Sequence, residues 1–109
     1  MASELMKVAL KPTCSNSETK LIDGASGHTY VVLSISICET AGAAETFNLY
    51  VDDGDGGTDH YIYHTQALAA NATFVHNDRI VIEGTDMLGF ITQSAADVDV
   101  VISYLDQTL

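Results

Sequence analysis

The chain predicts an all-β fold: a single antiparallel β-sandwich, jelly-roll-like, of seven to eight strands with an N-terminal arm or edge strand. Three observations lead there. Runs rich in Val, Ile, Thr, Tyr and Phe recur between clusters of Gly, Asp, Asn and Ser about every ten to twelve residues. The clearest runs alternate in bulk and polarity with a period of two, the signature of a half-buried strand. Helical periodicity is hard to find anywhere. With 109 residues, 47% of them apolar, the chain has room for one domain with one core.

The elements follow in order. Residues 1–19 read as an N-terminal arm or edge strand, and residues 20–109 as the sandwich. Within the arm, LMKVALK at 5–11 alternates, and Pro12, which has no N–H to give a ladder, cuts it short. A short KLI follows at 20–22. HTYVVLSISICET places Val31, Leu33, Ile35 and Ile37 on one face and Val32, Ser34, Ser36 and Cys38 on the other. ETFNLYV turns Phe47, Leu49 and Val51 inward against Thr46, Asn48 and Tyr50. HYIYH at 60–64, ATFV with DRIVIE at 72–83, and MLGFITQ at 87–93 are further strands. DVDVVISYL closes the set, with Val98, Val100, Ile102 and Tyr104 sharing a face.

Charge restricts the partners. Four Lys and Arg against fifteen Asp and Glu give a net charge of −11, a field that repels phosphate backbones and anionic lipid. Nucleic acid and membrane surfaces are therefore excluded as primary partners. No apolar run reaches membrane-helix length, and MASELMKVALKPT lacks the order of a signal peptide, so synthesis in a host cytoplasm is expected. Cys14 and Cys38 have no CxxC spacing and read as two free thiols. The Asn71-Ala72-Thr73 sequon is then read as silent.

The stretch VDDGDGGTD raises the question of a metal. Asp52, Asp53, Asp55 and Asp59 could offer carboxylates to Ca2+, which takes about six to eight oxygen ligands. The spacing fails the EF-hand template: with Asp53 and Asp55 as the first two ligands, Gly57 falls where a third belongs and no Glu completes the loop. The favoured reading is a long hairpin loop kept soluble by aspartate, with no cofactor and Ca2+ as the one candidate. His60 and His64 are too far apart on a strand, at about 13 Å, to share an ion. His28 and His76 read as surface or cross-strand histidines. No nucleophile elbow, phosphate loop or HExxH is present, and the chain is read as not an enzyme.

The pieces TYVVLSISICET, FNLYV, HTQALAANATF, DRIVIEGTDML and DVDVVISYL, in this order over residues 20–106, resemble small β-domains of tailed-bacteriophage virion proteins. Such domains occur as capsid decoration (cement) proteins, head fibres and tail accessory proteins. The resemblance implies no active-site residues. It implies a structural virion protein, foremost a decoration protein that binds the major capsid lattice and stabilises the head. A tail or fibre adaptor, and from another class a calcium-dependent carbohydrate-binding module, are the alternatives. Expected with it are a major capsid or other virion protein as partner, a homodimer or homotrimer, and a place on the capsid surface. The candidate partner-binding residues are Leu5, Lys7, Val8, Leu10 and Lys11 of the arm, with Tyr50, Tyr61 and Tyr63 taken as outward-facing.

Overall fold

The computed structural model describes residues 3–108. Nine strands make up the fold: β1 (Ser3–Cys14), β2 (Thr19–Asp23), β3 (His28–Glu39), β4 (Glu45–Asp52), β5 (Asp59–Leu68), β6 (Thr73–His76), β7 (Ile80–Glu83), β8 (Met87–Thr92) and β9 (Val98–Thr108). One sheet runs β1-β9-β3-β6 with β7 also on β3, and the other runs β2-β8-β4-β5. All pairs are antiparallel. The chain crosses repeatedly between the sheets, which is jelly-roll wiring.

The count of nine against the seven to eight expected has a simple cause. β6 pairs with Ile35–Cys38 and β7 with Thr29–Val32, so the two lie end to end along one edge of β3, parted by Asn77-Asp78-Arg79. They fill a single strand position, and the sandwich has four positions in each layer.

The core lies between the sheets. Val32, Ile35, Ile37, Leu49, Ile82, Leu88, Phe90, Val98 and Ile102 are fully buried there, and Phe47 is 1% exposed. Phe47 stacks on Phe90 at 5.3 Å and meets Phe74 edge-on at 5.4 Å, geometries in which ring quadrupoles attract. The faces expected for β4 and β9 hold: Phe47 and Leu49 are buried with Val51 packed against them, and Val98, Val100 and Ile102 are buried with Tyr104 beside them.

The expected face of β3 is broken by a β-bulge. Val32 opposes Tyr104 on β9 while Ser34 opposes Ser103, so Leu33 is an extra residue and the alternation changes phase. Tyr30 and Val32 point inward before the bulge, Ile35, Ile37 and Glu39 after it. Val31 and Leu33 are consequently only half-buried and leave the core side.

Candidate assembly interface

β1 is an edge strand. Ser3–Lys11 pairs with β9 on one side, starting with Ser3 opposite Thr108, and after a register shift Cys14 stands opposite Val98; among the described residues β9 is its sole hydrogen-bonding neighbour in the sheet order. Because Val100 and Ile102 point into the core, their partners Lys11 and Ala9 share the inner side of β1, and Lys7 and Leu5 follow at intervals of two. Met6, Val8 and Leu10 occupy the outer side, 73%, 57% and 67% exposed. Val101 on β9, Val75 on β6 and Val81 on β7 continue this surface across the sheet, all exposed.

Between these residues on the same outer face lie Ser34, Ser36 and Ser103, matched by register. Of the charged residues in the strands of this face, Glu4, Asp99 and Glu83 stand towards the ends, and exposed Asp78 and Arg79 lie between β6 and β7 along its outer edge. Four strand positions at about 4.8 Å and about eight residues at about 3.3 Å give this face roughly 500 Å2. Exposed apolar residues gathered on one face in this way are a feature of interaction sites. A shallow depression of about 250 Å3 lies at one end, lined by Leu10, Lys11, Pro12, Asp99, Val100 and Val101.

A buried carboxylate fixes β1 to the sheet. Asp106 on β9, 5% exposed, accepts Lys7 Nζ at 2.9 Å and is bonded to His28 Nδ1 on β3 at 2.8 Å. The His28 hydrogen bond and then Lys7 hold the Asp106 carboxyl below the usual carboxylate range, and Asp106 in turn raises the Lys7 ammonium. Lys7 thus reaches back across its own sheet. At the opposite end, the buried Glu39 carboxylate accepts the N–H groups of Ala41, Gly42, Ala43 and Asn71. The Asn71 N–H foremost, with the others, lowers its pKa. Gly42, at φ 81°, supplies the left-handed turn that aims these donors inward.

The outer face of the second sheet is built differently. Gly89 on β8 opposes Tyr50, and a Cβ at Gly89 would stand 2.5 Å from the Tyr50 ring, so the missing side chain makes the space in which the ring lies. Tyr50 is 3% exposed, its hydroxyl donating to the Glu18 carboxylate; burial first, then Glu18, raises its pKa strongly. The acidic loop is tied down over the neighbouring strand end: Gly54 N donates to Asp86 at 2.9 Å and Lys20 binds Asp55 at 2.7 Å. Met87, pointing away from the core cluster, is fully buried there.

Several site expectations need correction. Tyr50 and Tyr63 are not exposed. A bulge sets Leu49 opposite Tyr63 but Tyr50 opposite Tyr61, with Ile62 the extra residue, so Tyr61 and Tyr63 fall on opposite faces. Tyr63 turns inward onto Phe47 and Phe74 and is bonded to His76 Nδ1 at 2.7 Å. Tyr61 stays 51% exposed and lies beside His64, ring centres 4.7 Å apart. Cys14 ends β1 as a buried residue, and burial raises its thiol pKa. Leu5, Val8 and Leu10 are exposed. Met6, Val75, Val81 and Val101, not among the expected residues, are exposed on the same face, and the alternation of LMKVALK already put Met6 in the row of Val8 and Leu10.

Two of the four aspartates of the loop, Asp52 and Asp55, are committed within the chain. Asp52, buried, accepts Gly56 N and Gly57 N at 3.0 Å each, Asp55 pairs with Lys20, and Asp53 is exposed. Desolvation first, then Asp52, raises the Asp59 carboxyl. Among the described residues no three His, Cys, Asp or Glu side chains converge as a metal-binding group.

No family model matches the chain, and no curated protein matches it in sequence. Solved structures share its fold. A chain of the Bacillus endospore appendages, described as disulfide-linked pili, superposes with a TM-score of 0.61 at 14% identity over 100% of this chain and 91% of that one. A chain of the capsid of Helicobacter pylori bacteriophage KHP30 gives 0.53 at 17% identity, over 100% and 94%. Infectious bursal disease virus gives 0.54 at 10% identity over 99% of this chain, which spans only 33% of that one. At these identities the shared property is the sandwich itself.

Proposed function

We propose that this chain is a non-enzymatic structural subunit of a tailed-phage virion, a decoration protein that sits on the major capsid lattice and stabilises the head. The observation that carries the reading is the outer face of the β1-β9-β3-β6 sheet, where Met6, Val8, Leu10, Val75, Val81 and Val101 stand exposed around three serines on a chain of net charge −11. Such a face gains by docking. The likeness to a KHP30 capsid chain of nearly the same span supports the same reading. Binding the assembled shell in preference to free capsid protein stabilises the shell in proportion to occupancy.

A fibre-type subunit is the second reading, favoured by the likeness to the endospore appendage chain and by the open edge of β1. The sugar-binding reading loses its platform, since two of its three tyrosines are buried or turned inward. The test is fractionation of dissociated virions. Co-sedimentation with heads supports decoration, and co-sedimentation with tails or fibres supports the second reading. Release from heads by Val75→Asp with Val81→Asp would assign the contact to the apolar face.

A further inference from the structure

We propose that the free edge of β1 pairs antiparallel with β1 of a second copy about a twofold axis, joining two five-stranded sheets into one. Natural sheets blunt their edges with short strands, inward charge, proline or bulges. β1 carries Lys7 and Lys11 on its inner side, Lys7 neutralised by Asp106 at 2.9 Å, and Pro12 with the register shift between Lys11 and Cys14 closes its end. From Ser3 to Lys11 the backbone continues unbroken beside β9 with its other edge open, and an extended strand is the partner that satisfies such a row of N–H and C=O groups.

The side chains name that strand. In an antiparallel self-pairing centred on Val8, Met6 faces Leu10 of the second copy, Val8 faces its equivalent, Lys7 faces Ala9 and Lys11 faces Leu5. Apolar meets apolar along the outer row, and no lysine opposes a lysine. A register centred on Lys7 sets two lysines opposite each other, and one centred on Ala9 sets Lys7 against Lys11; like charges directly opposite are unfavourable. Lys7, drawn back onto Asp106 at 2.9 Å, leaves the edge clear. The −11 charge of each copy does not oppose the contact locally, since the outer row holds no charge between Glu4 and the end of the strand.

Area favours a pair over a single copy as well. One outer face offers roughly 500 Å2, below the about 800 Å2 per partner of a standard interface, and two faces made continuous through β1 exceed it. This last consequence rests on the docking role proposed above, whereas the pairing itself does not.

Light scattering on the eluting full chain at about 100 µM is the first test, concentration being fixed because association follows mass action. The expected mass is twice 11.6 kDa, about 23 kDa. Val8→Lys, which sets two cations across the axis, is expected to halve it, while Val81→Lys, on the same face but far from β1, leaves it unchanged. Under mild oxidation Val8→Cys is expected to give a covalent dimer beyond any formed by the parent chain, and Met6→Cys is not. A parent mass of 11.6 kDa, equal cross-linking by the two cysteine variants, or equal dissociation by Val81→Lys would each overturn the pairing. A monomer that still co-sediments with shells sinks the dimer alone, and a dimer that ignores shells sinks the docking role alone.

Discussion

The two outer faces of the sandwich start from similar material and end in opposite conditions. On the β2-β8-β4-β5 side the outward apolar residues Tyr50 and Met87 are buried, sheltered by Glu18, Tyr61 and the aspartate loop tied to Asp86 and Lys20. On the β1-β9-β3-β6 side Met6, Val8, Leu10, Val75, Val81 and Val101 remain open. The same chain that covers one face leaves the other bare. The bare face is the one to which the proposed docking role assigns contacts outside the chain.

The comparison can be broken at several points. The interior common to both faces sets the scale: Phe47→Ala is expected to cost about 3–5 kcal/mol in denaturant unfolding, far more than any change on the open face. Gly89→Ala tests the covered face, since its Cβ meets the Tyr50 ring at 2.5 Å; a loss of about 1–3 kcal/mol is expected, together with a gain in Tyr50 exposure seen by its titration at lower pH. Val75→Ser with Val81→Ser tests the open face, where stability should stay within about 0.5 kcal/mol while shell binding falls. A loss comparable to that at Gly89 would mean that the open face is part of the fold's own packing.

Acid should act on the two sheets with opposite sign. Asp106 has a folded pKa below its unfolded value of about 3.9, so its contribution is present above that value and is lost as pH falls through the lower, folded one. Glu39 behaves in the same way. Asp59 has a raised folded pKa; its ionisation opposes folding, and protonation relieves it. Melting curves below about pH 4 should therefore show a loss that Asp106→Asn reduces, with hydrogen exchange rising first in β1. Calcium should give the smallest effect, with no change in melting midpoint for the parent chain or for Asp53→Asn.

Much of the fold was legible in the sequence because burial in a sandwich writes itself as alternation. ETFNLYV and DVDVVISYL place their core residues where a period of two puts them. The misses share a cause. At Leu33 and at Ile62 one inserted residue reverses which side of the strand its neighbours take, and neither residue differs in type from those around it. That reversal moved Val31 out of the core and Tyr63 into it. Tyr50 was misplaced for another reason: its strand face is outward, but Gly89, thirty-nine positions away in sequence, leaves room for the ring to lie flat on the sheet.

By itself the sequence determined the strand-forming runs, the turns between them, the one-sided charge and the apolar alternation of LMKVALK, because these are local properties of composition and spacing. Only the tertiary structure decided which apolar rows are covered, where the bulges fall and which edge is left open. Those depend on the strand laid alongside, and the identity of a neighbour across a sheet is not a property of either strand alone.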